Sequence, residues 1–225
     1  MTEPLTRQSI SQVLDPLGWR LILGVAVTHV RVPTLSAAVD VAAAAISIDG
    51  VDGHLTVDLH ADRLVLRVHT LASGAVTEPD LALATRITGA LATHGWRTEP
   101  GGDGVAPQTV EIAVDALDIA LIRPFWQAVT GYVDEPGPPD LPAGGLQDPL
   151  RRGPTIWFQQ MDAPRPQRNR IHLDVDVPAE LARSRVDAAL AAGGTLVSDA
   201  AAPAFWVLAD AEGNEVCVCT WQGRD

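Results

Sequence analysis

The chain has 225 residues, 47% hydrophobic and 20% charged. That composition excludes a disordered polymer and allows one large or two small domains with packed cores. The net charge is −12 and all sixteen basic residues are arginine, with no lysine. Such a deficit argues against non-specific binding to nucleic acid or to an anionic membrane, since both draw on clustered positive charge.

Arg151, Arg152, Arg165, Arg168 and Arg170 gather in one region, as a solvated loop or a place for a small anion. No basic segment followed by an apolar run opens the chain, and the most apolar window, residues 21–27, is too short to span a bilayer. Cys217 and Cys219, the only cysteines, are poorly placed to bridge each other. The expected setting is the reducing cytoplasm.

In chain order, residues 1–16 read as a short helix or a tail. Residues 19–32 read as a hairpin turning at Gly24, with alternation through Val25, Val27, Val30 and Val32. Thr34 or Ser36 caps a helix over 35–46 built almost wholly of alanine and valine. Residues 54–70 form a second hairpin. If Ala61–Asp62 is its turn, partners sum to 123, which sets His54 opposite His69. Thr77, Pro79 and Asp80 then make a helix start: cap, first-turn proline and an acid at the third position.

This order, with the run from Gly53 to Ala84, resembles the pterin-4a-carbinolamine dehydratase family over about residues 15–93. Aligned without gaps, His54, Thr70, Val76–Thr77, Asp80, Leu83 and Ala84 match the family pattern. Gly53, Leu55 and Leu71 replace two of its histidines and a proline. The resemblance implies an antiparallel sheet with helices on one face. It also implies a 4a-hydroxytetrahydrobiopterin dehydratase (lyase) site at His54, with His69 standing in for the lost histidine. Dehydration needs an acid for the leaving hydroxyl and a base for a ring-nitrogen proton, and histidine suits both near neutrality. With one family histidine kept, the expectation is a degenerate domain.

Residues 99–108, rich in Gly and Pro and without periodicity, read as a linker between a domain over 1–98 and one over 109–225. In the second domain, strand, helix and strands occur twice. The helices are expected over 117–130 and after Pro178, and strands over 110–114, 155–160, 171–175, 195–197, 205–208 and 216–220. A Phe-Trp pair recurs at 125–126 and 205–206.

Asp118, Phe125–Trp126, Gly131–Tyr132, residues 169–174 and residues 210–215 carry a resemblance to the glyoxalase/bleomycin-resistance group of the vicinal-oxygen-chelate superfamily, over 109–221. It implies paired βαβββ units, so the whole fold class is α+β. It also implies a divalent metal held by first and last strands. Mapped onto this chain, the ligand positions fall on Glu111, His172 and Cys217, with Gln159 or Gln160 at the remaining one. The implied chemistry is that of a metal-dependent lyase, isomerase or dioxygenase. Without a metal, the reading is a cleft for a flat, even pterin-like, small molecule. Its ligand-binding residues are Trp126, Trp157 and Trp206, with Phe158 as an alternative to Trp157 and Arg170 at the mouth. Both resemblances imply self-association, with a homodimer expected.

Overall fold

The computed structural model describes residues 5–101, 106–136, 144–164 and 171–223. They divide into two compact units, one holding the residues up to Thr109 together with Pro136, the other Val110–Glu135 and the residues from Gly144 on.

In the first unit, α1 (Arg7–Leu14) opens on a capping box. The Ser9 N–H donates to Thr6 Oγ1 at 3.1 Å and the Thr6 N–H to Ser9 Oγ at 2.9 Å. β1 (Arg20–Ile22) and β2 (Val25–Arg31) then form a hairpin. Its two turn residues, Leu23 and Gly24, have φ of 45° and 77°, the left-handed pair that matches strand twist. Thr34 caps α2 (Leu35–Ile46) by accepting the Ala37 N–H at 3.1 Å.

β3 (Leu55–Leu59) pairs with β4 (Arg63–Val68) from Leu55↔Val68 to Leu59↔Leu64, the register expected from a turn at residues 61–62. α3 (Glu78–Thr93) follows. β5 (Thr98–Glu99) pairs with β2 through His29↔Glu99, so Glu99, expected in the linker, belongs to the sheet. Its carboxylate lies 2.6 Å from Arg31 Nε.

The sheet order is β1-β2-β4-β3, all antiparallel, with β5 also on β2. Ala26, Val30, Leu64, Leu66 and Val68 alternate toward one face, where they meet Trp19, Val41, Ala45, Leu83, Ile87 and Leu91. Full burial of each such leucine or isoleucine stabilises by about 1.5–3 kcal/mol. The helices therefore gather on a single face.

The second unit contains the same topology twice. β6 (Glu111–Ala116), α4 (Ile119–Thr130), β7 (Val133–Asp134), β8 (Leu146–Gln147) and β9 (Thr155–Gln160) make the first repeat. β10 (Leu173–Asp176), α5 (Ala179–Ala191), β11 (Thr195–Ser198), β12 (Phe205–Ala209) and β13 (Glu215–Cys219) make the second. The sheet orders are β6-β9-β8-β7 and β10-β13-β12-β11, each with its first strand parallel to its last. One core joins the repeats. Ile122, Phe125 and Val129 of α4 and Val186 and Ala189 of α5 pack with Val114, Ile156, Leu208, Val216 and Val218.

Two expectations shift at the ends of elements. β10 starts two residues later than the alternation from Ile171 suggests, because it pairs only with β13 and that register begins at Leu173↔Val216. Pro178 stands at the N-cap of α5 rather than inside its first turn.

The turn before β13 is tied to α4. Glu212 accepts the Leu117 and Asp118 N–H groups at 2.8 and 2.7 Å, and Asp118 in turn accepts the Leu121 N–H at 3.1 Å. Buried Asp210 accepts the Trp126 indole N–H at 3.0 Å and the Asn214 side-chain amide at 2.8 Å. No helix among the described residues is long and apolar enough to cross a membrane.

Candidate functional site

Strand alternation decides which side chains of the second unit remain available. In the first repeat, Ile112, Val114, Ile156 and Phe158 turn to the core. Their neighbours Glu111, Ala113, Asp115, Trp157 and Gln159 are exposed on the other face, with Ala113 opposite Trp157 and Asp115 opposite Gln159. Of the adjacent pair Trp157 and Phe158, the tryptophan is therefore the open-face residue, 39% exposed. Gln160 is committed elsewhere, its amide donating to the Leu117 and Met161 carbonyls at 2.8 and 2.9 Å.

The same parity in the second repeat sends Val216, Val218 and Leu208 to the core, with Trp206 packed against them opposite Val218. Cys217 and Cys219 take the opposite face, opposite Val207 and Phe205, the latter 37% exposed. Trp126, expected to line a cleft, is thus a core residue, and Trp206, expected there too, is half-buried against the core. Trp126 is 2% exposed and held by Asp210, and Trp206 shares its parity with buried Leu208. Phe205 takes the open-face place that the repeated Phe-Trp pair suggested for its neighbour. Arg170 lies outside the described residues.

The structure brings His172 and Cys217 together and adds Asp174. One ligand atom from each lies within 4.8 Å of the others, with His172 Nε2 3.4 Å from Asp174 Oδ1. Glu111 is not in this group. Asp174 stands opposite Cys217 in the β10–β13 register, and two-residue spacing puts His172 on the same side. The His172 and Asp174 side chains are open to solvent, whereas Cys217 is buried.

Burial, then the charge and hydrogen bond of Asp174, push the Cys217 thiol up to about 11. By itself it is a protonated, weak nucleophile at neutral pH. Three donors of different chemistry at this spacing fit a transition metal. A tetrahedral ion with bonds of roughly 2.0–2.3 Å sets its ligand atoms about 3.3–3.7 Å apart. Bound there, such an ion would polarise a carbonyl or lower the pKa of a bound water.

The first unit holds a second polar constellation. The Asp80 side chain is fully buried, and its carboxylate lies 2.7 Å from His54 Nδ1. It also accepts the Thr77 N–H at 2.7 Å and the Thr77 and Thr70 hydroxyls at 2.7 and 2.8 Å. Burial pushes this carboxyl up, but the hydrogen bonds from Thr77, His54 and Thr70 outweigh it and hold it below its ordinary range. An ionised carboxylate only accepts, so Nδ1 of His54 carries the proton and Nε2 is the nitrogen left for other partners. His69 lies across the hairpin, its N–H donating to the His54 carbonyl at 3.1 Å, and its side chain is buried. The sequence marks Asp80 as a helix-start acid; the contact with His54 needs the hairpin folded against α3.

Comparison with known proteins bears on the second unit. Residues 111–219 match the model of a family described as a glyoxalase-like domain. The similar solved structures include a glyoxalase/bleomycin resistance protein/dioxygenase family enzyme from Burkholderia phytofirmans PsJN. It is 20% identical, with 49% of this chain and 95% of that chain covered and a TM-score of 0.36. A glyoxalase-related enzyme from Fulvimarina pelagi is 15% identical, covering 50% and 87%, with a TM-score of 0.39. The genomically encoded fosfomycin resistance protein FosX from Listeria monocytogenes, complexed with Mn(II) and sulfate ion, is 13% identical. It covers 55% and 98%, with a TM-score of 0.37. No curated protein matches. Residues 111–219 are thus similar to a glyoxalase-like domain.

Proposed function

We propose that the second unit binds a small molecule on the open faces of its sheets, anchored at His172, Asp174 and Cys217 and covered in part by exposed aromatics. The observation that carries this is the donor group itself, with Phe205 across from Cys219 on the same face. Burying an aromatic of this kind against a flat ring contributes about 0.5–1.5 kcal/mol beyond area alone, while a His-Asp pair gives direction to polar substituents. Trp157 offers a second stacking surface on the first repeat. The proposal extends to a cytoplasmic homodimer, testable by light scattering and cell fractionation.

The test is thermal unfolding against a broad metabolite panel that includes a pterin, a flavin and a purine nucleoside. One member should stabilise the wild type, and the shift should shrink in Phe205→Ala or Trp157→Ala. A panel that stabilises nothing, with the protein folded, counts against a binding function.

The contact between His54 and Asp80 favours a second reading, a 4a-hydroxytetrahydrobiopterin dehydratase in the first unit. His54, oriented through Nδ1, would exchange a proton at Nε2, with His69 as its partner across the hairpin. Gly53 and Leu71, where the family has histidines, make a slow or lost activity the expected state. Pterin dehydration that vanishes in His54→Ala supports this reading, and none in the wild type excludes it. A metal-dependent lyase, isomerase or dioxygenase in the second unit is a third reading, conditional on a bound divalent ion. The ligand set carried from sequence was Glu111, His172 and Cys217.

A further inference from the structure

Resting on the small-molecule reading of the second unit, we propose that its ligand is a planar organic cation, seated in a trough across the sheet of the second repeat. The register of three neighbouring strands builds that trough. Asp176 of β10 stands opposite Cys219 of β13, and Cys219 stands opposite Phe205 of β12. Two residues back along the same strands, Asp174 stands opposite Cys217 and repeats the acid-and-thiol pair.

Two strand spacings, about 9–10 Å, separate Asp176 from Phe205, room for one aromatic ring with a charged substituent. Between them the thiol side chains are short, and Cys217 and Cys219, 7% and 2% exposed, form a sheltered floor. Asp176 is exposed and forms no ion pair among the described residues, whereas Asp174 has His172 Nε2 3.4 Å away. Phe205, 37% exposed, is the opposite wall. The Thr220 N–H donates to the Ala204 carbonyl at 2.9 Å, which carries the β12–β13 pairing past Cys219 and leaves Trp221, 70% exposed, at the end of the trough.

The side chains select the sign of the charge. Strands β10 to β13 carry carboxylates and no lysine or arginine, so these strands offer an anion no guanidinium or ammonium partner. The chain's net charge of −12 adds a field of the same sign. A cation over Phe205 or Trp221 meets the negative face of an aromatic ring. At an exposed site that attraction and a single ion pair each strengthen binding about twofold to fivefold. An amidinium or guanidinium carried on a ring uses both at once. Its plane stacks on the aromatic wall, and its N–H donors reach the Asp176 carboxylate.

The experiment titrates the full chain by calorimetry with three probes of like shape and different charge: benzamidinium, benzamide and benzoate. Benzamidinium should bind about fivefold or more tighter than benzamide, with benzoate weakest and the margin shrinking in salt. Asp176→Asn, a change at an exposed side chain, should bring benzamidinium to within about twofold of benzamide. Asp187→Asn removes the same charge from an exposed position on α5 and should leave the margin intact. Phe205→Ala should weaken benzamidinium and benzamide alike. The proposal is overturned by benzamide or benzoate binding as tightly as benzamidinium, or by a margin that survives Asp176→Asn or is equally lost in Asp187→Asn. Unchanged binding in Phe205→Ala, or a folded wild type that binds none of the three, would also overturn it. Benzamide binding that depends on Phe205 but shows no cation margin would sink the charge class alone and leave the small-molecule reading to the metabolite panel.

Discussion

Replacing Asp80 by asparagine tests the polar centre of the first unit. The carboxylate is fully buried and accepts from a backbone N–H, two hydroxyls and an imidazole, all between 2.7 and 2.8 Å. Hydrogen bonds to a charged group contribute about 1.5–3 kcal/mol each but are not additive, and losing one member of a buried charged network costs about 3–5 kcal/mol. Asparagine retains one acceptor oxygen and turns an N–H₂ toward groups that already donate. The expected loss is about 2–4 kcal/mol, and for a unit near 100 residues each kcal/mol lowers Tm by roughly 4–8 °C.

The assay is thermal unfolding by circular dichroism across pH. Because the native carboxyl sits below its unfolded value of 3.8, its stabilisation is complete above that value and is lost as pH falls through the lower native one. The gap between wild type and variant should therefore be full at pH 7 and narrow in acid below 3.8. A variant within about 0.5 kcal/mol of wild type at pH 7, or a gap that widens in acid, would refute the argument.

Three further outcomes follow from the second unit and the first sheet. Glu212→Ala removes the carboxylate that accepts the Leu117 and Asp118 N–H groups. At this half-exposed position it should cost about 1–2 kcal/mol in urea unfolding, with Glu212→Gln intermediate. Gly194→Ala would drive a methyl group into the Phe125 ring and close to the Ala189 carbonyl, and should lower stability by about 1–3 kcal/mol. The reasoning fails if its Tm is unchanged. Buried His29 is held below the ordinary histidine range, first by burial and then by Arg63. Its contribution is present above its unfolded value of 6.5 and lost as pH falls through the lower native one. Proton titration by NMR should place its midpoint below 6.5.

How much of this was legible in the sequence depended on whether the information was local. The register of β3 and β4 follows from a two-residue turn, and the start of α3 from Thr77 and Asp80. The repeat of the second unit shows in its order of strands and helices, because each of these is set by neighbours in the chain. The sites depend on which face of a sheet the core covers, and alternation gives parity without direction. Trp206 and Phe205 are equally good aromatics at adjacent positions. Only the helices packing on Leu208 and Val218 decide that Trp206 turns toward them, half-buried, and Phe205 is open. The Asp174 placement has the same origin. Two residues from His172, it reads as a hydrogen-bond partner, and it becomes a third donor only because β13 runs parallel to β10 and sets Cys217 at its level. Had the pairing slipped by one residue, Val218 would stand there instead, and no thiol would reach the pair. The grouping of His172, Asp174 and Cys217 therefore rests on a register between strands about forty residues apart in sequence, which the order of residues along the chain does not carry.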